Sequence, residues 1–462
     1  MLDLLERQQS LTVNQWKIFT ACVLSTMMDF FDFFLIAYVL AFVVGGWHLT
    51  YGQSAAVLFA SGVAAVPGGW FFGWLGDRIG RRKVFMITVL TFSLGTGVMA
   101  LTPEGGWIFL AVMRLIVGLG VGGMPVVDWP LISEFVPASK RGLITGLSTS
   151  LLPAGTLLAA FISSFLEPTV GWRGLFLCGL VPALMAFVIR VWVPESPRWL
   201  IGQGRVEEAR RALAWALMID PDEIALPTSP PVRVKTSWLE VFQYPRSVII
   251  GCLTGLAQTG ASGMALWTVI LFVMVLRVTP AEAAFLAIWP PVAGIVGRLV
   301  GSWLSEVLGR RVSGSLTCLA AAFFLSLAGY LHSVFFGAVS LYYVLLFVYS
   351  FFGPGAAFAI IFPYMTEMWP GRLRASGLGL AYGTANLGKF IGPAGLALIA
   401  GASDYVTPKA TLAALIPGLN YFAAWFVLAA GALFFFGIET RGRTIEELDA
   451  TLDKRVGSAT AR

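Results

Sequence analysis

Runs of twenty or more apolar residues recur along this chain about a dozen times, separated by short charged breaks. A helix rises about 1.5 Å per residue, so roughly 20 apolar residues cross a bilayer's hydrocarbon core of about 30 Å. Lipid offers no partner for backbone N–H and C=O groups, so only helices or closed barrels can span it. A barrel would show short segments of alternating polarity instead. An all-α membrane protein is therefore expected. Composition agrees: 57% of residues are hydrophobic, only 12% are charged, and mean hydropathy is +0.81. A soluble domain carries about twice that share of charge. The N-terminus carries Asp3, Glu6 and Arg7, and the first apolar run is too long for a cleavable signal peptide.

Twelve spans are expected at roughly 18–45, 53–74, 83–101, 107–130, 143–165, 173–193, 247–275, 282–304, 312–332, 337–362, 376–400 and 419–437. With both termini in the cytoplasm, all but five of the 31 basic residues fall on that side. Arg173, Arg277 and Lys409 fall outside, and Arg114 and Lys389 lie within spans. This asymmetry follows the positive-inside rule and accounts for the net charge of +6 without nucleic acid as a partner. One long polar stretch divides the spans six and six. The expected organisation is an N-terminal six-helix bundle over 1–193, a cytoplasmic linker with amphipathic helices over 194–246, a C-terminal six-helix bundle over 247–437 and a cytoplasmic tail over 438–462. No Asn-x-Ser/Thr sequon occurs, which favours a bacterial inner membrane as the location.

The four cysteines sit singly in apolar runs and read as packing residues. His48 and His332 stand at loop edges. No metal site and no cofactor is expected, and no Ser/His/Asp or Cys/His set is available for enzyme chemistry.

The two halves carry matching signals. Glu134-x2-Pro137-x3-Arg141 precedes the fifth span and Glu367-x2-Pro370-x3-Arg374 the eleventh. Trp74-Leu75-Gly76-Asp77-Arg78-Ile79-Gly80-Arg81-Arg82 follows the second span, and Trp303-Leu304-Ser305-Glu306-Val307-Leu308-Gly309-Arg310-Arg311 follows the eighth. Two matches in the same order argue for duplication. A duplicated six-span unit places a solute site between the halves, near the bilayer midplane.

The chain resembles the major facilitator superfamily over almost its whole length. Gly73-x3-Asp77-Arg78-x-Gly80-Arg81-Arg82 is similar to that family's most diagnostic loop, and Arg114-x3-Gly118-x-Gly120 to its fourth-span signature. Pro194–Leu200 (PESPRWL) and Glu439–Thr444 (ETRGRT) resemble the sugar-porter branch. Asp29-x2-Asp32 resembles the aromatic-acid:proton and lactate/sialate:proton symporters. The resemblance implies two pseudo-symmetric six-helix bundles and alternating access. A monomer in the bilayer is expected.

Charges within spans are costly, about 2.5–3.5 kcal/mol each by insertion scales, so each needs a reason. Asp29 and Asp32 lie three apart on one helix and are expected to share a face. A buried carboxylate whose cation partner comes and goes can take up and release a proton. Arg114 is the best partner, and in related porters a first-span acid and a fourth-span arginine play these roles, which maps them onto Asp32 and Arg114. A static ion pair is the alternative. Asp128 lies close to four turns beyond Arg114. It either receives the proton after Asp32, caps loop amides or joins a cytoplasmic gate, the gate being preferred.

Lys389 lies mid-span among Asn386-Leu387-Gly388-Lys389 with no acid of the second half beside it. Its place in the first repeat is held by an uncharged residue near Thr156. A lone buried ammonium wants an anion, and a substrate carboxylate supplies one. In aromatic-acid and nicotinate symporters an arginine holds what looks like this position. Lysine departs from that pattern and gives a point charge in place of a fork. An ion pair with Asp29 or Asp32 is the alternative. Asn386, Gln258, Trp267 and Tyr382 complete the expected substrate site, since spans seven and eleven face the cavity in this family.

The loop charges Asp77, Arg78, Arg81, Glu134, Arg141, Arg298, Glu306, Glu367 and Arg374 read as gating networks, with positive-inside anchoring as the bland alternative. The expected activity is proton-coupled uptake of a small organic acid anion. Sugar or polyol symport, proton-coupled efflux and a transporter-like solute sensor are the alternatives.

Overall fold

The computed structural model describes residues 3–181, 192–225, 238–337, 339–369 and 374–441. Among these, ten helical stretches are long and apolar enough to cross a membrane. The first half contains α1 (Val13–Val43), α2 (Tyr51–Ile79), α3 (Arg81–Met99), α4 (Trp107–Phe135) and α5 (Ala138–Cys178). The linker carries α6 (Val206–Leu217). The second half contains α7 (Pro245–Leu276), α8 (Trp289–Leu308), α9 (Arg310–Tyr330), α10 (Leu341–Ser350), α11 (Phe358–Glu367), α12 (Arg374–Asn386), α13 (Gly388–Ile399) and α14 (Pro408–Gly431).

Two expected spans take a different form. The fifth runs on through a break at Gly171, whose φ of 66° is open to glycine, into the start of the expected sixth. Residues 182–191 of that sixth span lie outside the described residues. The expected eleventh is two helices, α12 and α13, that part at Leu387, directly before Gly388 and Lys389. Between α10 and α11 the chain forms a π-helical turn, Phe351–Ala357, around Pro354. Proline removes one backbone donor and opens the ladder there.

Helix starts are set locally. Thr12 and Thr50 each accept from the N3 amide while Gln15 and Gln53 reach back to the cap backbone. Glycines let the helices close on one another, and the same pairings recur in both halves. In the first half α1 packs on α5 and α2 on α4. In the second, α7 packs on α12 and α13, and α8 on the π-helical turn. The halves meet where α2 faces α12 and α13, α5 faces α8, and α1 faces α7.

The amphipathic α6 is tied to the first half. The Thr12 hydroxyl donates to the Ala216 carbonyl at 2.5 Å and Asn14 donates to the Trp215 carbonyl at 2.7 Å, while Gln15 joins α1 to the end of α4 through the Phe135 carbonyl at 2.8 Å. Leu5 closes a small core against Leu213, Ala214 and Ile224.

On the face opposite the linker, the halves are joined through backbone. Tyr51 N–H donates to Asp404 O at 2.9 Å, Gly52 N–H to Ala402 O at 2.8 Å, and Val406 N–H to Leu49 O at 3.2 Å. The Tyr51 and Thr411 hydroxyls lie 2.6 Å apart. Beneath this latch the Phe59 and Phe390 rings meet edge to face at 4.7 Å. Gly62 allows a close approach there, since a Cβ on it would stand 2.6 Å from Lys389 Cβ.

Candidate functional site

A cavity enclosing about 910 Å³ of non-atom space, its open mouth included, lies between the halves. The first half contributes Asp29, Phe30, Phe33 and Phe34 of α1, Val121 and Pro125 of α4 and Leu152 of α5. The second contributes Gln258 of α7, Phe358 and Phe362 of α11, Tyr382 of α12 and Lys389 of α13.

The two acids of α1 part company. Three residues turn a helix by about 300°, leaving the side chains about 60° apart. Asp29 faces the cavity, whereas Asp32 turns behind it, where the Thr96 hydroxyl of α3 donates to its Oδ1. Asp32 is 1% exposed and is absent from the lining. The single stripe expected from their spacing is thus split between cavity and helix packing.

Arg114 is fully buried beside them. Its Nη2 donates to Ser61 Oγ at 2.6 Å and to the Phe33 carbonyl at 3.3 Å, while Nε and Nη1 have no hydrogen-bond partner among the described residues. Asp32 Oδ2 and Asp29 Oδ1 are likewise unpartnered. The expected Asp32–Arg114 pair interacts through space without a direct ion pair. Both sides of it keep unused hydrogen-bonding capacity.

Lys389 projects into the cavity. Its Nζ lies 5.1 Å from the Phe33 ring centroid and 5.9 Å from that of Tyr382. No hydrogen bond or ion pair holds it among the described residues, although Asp29 lies within its field. Arg114 approaches the same Phe33 ring at 5.7 Å. Phe33 thus touches both cations. Gln258 Oε1 is buried without a partner. The neighbouring hydroxyls of α7 are committed to backbone: Thr259 donates to Ala385 O, and Ser262 donates to Thr259 O at 2.6 Å.

Two expected substrate residues stand elsewhere. Trp267 is fully buried under the latch, its ring 5.8 Å from Tyr51, and is a plug residue by position. Asn386 is buried behind the wall and does not line the cavity. Asp128 is also buried and accepts from the Thr26 hydroxyl at 2.7 Å, with no ion pair among the described residues.

The linker face carries two equivalent networks. Glu195 accepts from the backbone N–H groups of Arg81 at 2.9 Å, Arg82 at 3.3 Å and Ser196 at 3.0 Å. Glu439 accepts from Arg310 at 2.9 Å, Arg311 at 3.2 Å and Thr440 at 3.1 Å. Each glutamate therefore fills the exposed amides at the start of α3 or α9, where a carboxylate also meets the helix dipole. The next residue completes the match: Ser196 donates to Glu134, and Thr440 to Glu367 at 2.5 Å. Arg310 pairs with Glu306 at 2.7 Å and approaches Glu367 at 3.5 Å. Arg78 stacks on Trp74 at 4.3 Å. Arg298 lies over the Phe358 ring at 4.2 Å, with its Nε donating to Pro354 O at 3.3 Å. The side chains of Asp77, Arg141 and Arg374 lie outside the described residues.

Gly80 and Gly309 make both turns possible. Their φ/ψ values of 102°/153° and 83°/161° belong to a region essentially reserved for glycine. Gly309→Ala is expected to cost about 1–3 kcal/mol, lowering the midpoint in a thermal unfolding scan. A variant as stable as the parent removes this account of the turn.

A family profile for sugar (and other) transporters matches residues 12–452. The chain belongs to that family. It is 28% identical to the niacin transporter NiaP of Acinetobacter baylyi over 97% of this chain and 100% of the relative. It is also 28% identical to the cis,cis-muconate transport protein of the same organism, over 84% of this chain and 88% of the relative. Its identity to the glucose transporter GlcP of Staphylococcus epidermidis is 24%, over 97% and 99%. Among solved structures, the proton:xylose symporter XylE bound to 6-bromo-6-deoxy-D-glucose superposes with a TM-score of 0.71 at 20% identity, over 95% of this chain and 99% of that one. At that identity the likeness speaks for the fold alone, which is the all-helical major facilitator fold. The protein is a multi-pass membrane transporter and not an enzyme.

Several residues of this transporter's site carry no sequence signal. Thr96 and Ser61 hold the buried charges, yet a hydroxyl in an apolar run is ordinary in membrane helices. Glu195 and Glu439 occur in dissimilar motifs, and only their shared task on the two repeats relates them.

Proposed function

We propose that the transporter imports a small planar organic acid anion together with a proton, by alternating access of two six-helix halves. The linker face and both termini lie in the cytoplasm of a bacterial inner membrane, as the distribution of basic residues indicates. Twelve spans and a monomeric unit belong to the same reading.

One observation carries it. The Lys389 ammonium stands in a largely apolar, phenylalanine-rich cavity without a hydrogen-bonding partner among the described residues. A carboxylate is the ligand that such a cation lacks, and flat rings beside it suit stacking. Asp29 gives the coupling. An ionised Asp29 and a substrate carboxylate compete for the same ammonium, and a proton on Asp29 removes the competitor. Solute and proton therefore favour each other's binding, and by linkage the effect is reciprocal. Asp32 and Arg114 supply the fixed charge behind this pair. Gating falls to the linker-face clusters and the latch on the opposite face.

The sugar reading has the family description and a glucose-transporting relative in its favour. The lining speaks against it. A polyol wants many neutral hydrogen-bonding groups, whereas Thr259 and Ser262 already serve backbone carbonyls. A thermal-shift series with nicotinate, benzoate, cis,cis-muconate, glucose and xylose separates the two. Stabilisation by at least one carboxylate and by neither sugar is expected. Stabilisation by the sugars alone overturns the proposal. Uptake into proteoliposomes then distinguishes a transporter from a sensor, which binds without accumulating.

A further inference from the structure

A second, smaller hollow adjoins the main cavity. Its walls are Val23 and Thr26 of α1, Asp128 and Ile132 of α4, and Ser148 and Leu152 of α5. Thr26 and Leu152 line both spaces and so form the partition. Asp128 is 1% exposed, and its buried Oδ1 has no hydrogen-bond partner among the described residues. Glu134, which meets the linker at Ser196, follows Asp128 by six residues, about 1.7 helical turns.

We infer that Asp128 is the inner proton-release station of this transporter and that the Thr26 hydroxyl is the switch feeding it. The inference rests on the proton-coupled reading above. It goes further by giving the proton a route separate from the solute's.

The geometry of Thr26 is the basis. Its Oγ1 lies 2.7 Å from Asp128 Oδ2 and 2.9 Å from the Cys22 carbonyl. A hydroxyl has one hydrogen to donate, so it serves only one of these acceptors at a time. When Asp128 is ionised, the Thr26 hydroxyl donates to Oδ2. When Asp128 is protonated, its own O–H donates to Thr26 Oγ1, and the threonine hydrogen turns to the Cys22 carbonyl. Both arrangements satisfy the same heavy atoms and differ by one proton. Thr26 also sits one turn from Asp29 on α1, with both side chains on the cavity. Transfer then balances simply. A proton leaves the Asp29 carboxyl for Thr26 Oγ1 as the threonine's hydrogen passes to Asp128 Oδ2. Asp29 ends ionised and Asp128 protonated, and only O–H bonds break and form.

The groups facing Asp128 fit a relay better than a gate. Cys22 and Asp29 are titratable groups near it, and no cation pairs with it among the described residues. A gating carboxylate would hold a basic partner, as Glu306 and Glu367 do. Ser148, the other polar wall residue, donates to the Ile144 carbonyl at 2.9 Å and so gives Asp128 Oδ1 no hydrogen bond.

The test uses the full chain in proteoliposomes with labelled nicotinate and an inside-alkaline gradient. Wild type should accumulate about tenfold per pH unit for one coupled proton. Asp128→Asn and Thr26→Val should accumulate less than twofold, and Thr26→Ser should restore accumulation because it restores the hydroxyl. Asp128→Asn should still exchange preloaded nicotinate within threefold of the wild-type rate, since exchange needs no net proton release. Wild-type accumulation by Asp128→Asn, or equal performance of the valine and serine variants, overturns the relay. Loss of exchange in Asp128→Asn marks a structural role and overturns it as well. A wild type that never accumulates nicotinate sinks the relay together with the coupled reading. If Asp29→Asn loses accumulation while Asp128→Asn keeps it, the coupled reading stands and the relay alone is gone.

Discussion

Lys389→Ala is expected to weaken binding of nicotinate or benzoate by roughly thirtyfold or more, about 2 kcal/mol, while leaving the fold intact. The magnitude follows from where the ammonium sits. A charge pair made in an apolar enclosure is screened far less than one at a surface, and deleting one partner leaves the other buried and unpaired. Lys389 makes no hydrogen bond or ion pair among the described residues, and only ring contacts with Phe33 and Tyr382. Its removal therefore sacrifices little that holds the protein together. The thermal midpoint without solute should stay within a few degrees of the parent, and the carboxylate-induced rise should vanish. Lys389→Arg keeps the charge but replaces a compact ammonium with a broad planar fork. It should retain part of the affinity and shift the preference among carboxylates. Unchanged carboxylate affinity in Lys389→Ala, read by isothermal titration, ends the substrate assignment. A collapse of the unliganded midpoint instead identifies Lys389 as a packing element.

What the sequence revealed and what it hid have separate physical causes. Span positions are a local property of apolar length, so most could be read directly. The eleventh was harder, because its apolar run gives no sign that the helix parts at Leu387. Asp29 and Lys389 stood out because lipid tolerates so few charges. Their neighbours were less visible. The spacing of Asp29 and Asp32 suggested one face, but a turn of about 60° suffices to put one acid in the cavity and the other against Thr96. Trp267 was drawn to the substrate by its span, whereas the ring lies higher on α7, under the latch. That latch was out of reach altogether. It consists of amide–carbonyl bonds between residues 49–52 and 402–406, and backbone pairing between distant segments leaves no residue signature. The repeat, by contrast, was legible in Gly80-Arg81-Arg82 and Gly309-Arg310-Arg311. The structure extends it to Glu195 and Glu439, which occupy the same amides from unrelated motifs.

Asp29→Asn should abolish gradient-driven accumulation, from about tenfold per pH unit to near equality across the membrane. Asparagine nearly matches the shape of a protonated aspartate but can neither release nor take up a proton. The variant is therefore held in the state in which nothing competes with the solute for Lys389. Binding should be as tight as in wild type or tighter, and its dependence on pH between about 5 and 8 should flatten. Exchange of solute across the membrane should continue, because the loaded carrier can still reorient. These three readouts together are what separate coupling from a packing role. A misfolded variant would lose binding and exchange along with accumulation, and a residue that merely braced α1 would leave the pH dependence of binding in place. Asp29 lines the cavity, which gives it access to the solute's space, and its buried Oδ1 has no hydrogen-bond partner among the described residues. Asp32 lacks that access, since Thr96 and the surrounding helices enclose it. Accumulation that survives in Asp29→Asn would move the coupling site behind Phe33 to Asp32 and Arg114, and would require those helices to open during each cycle.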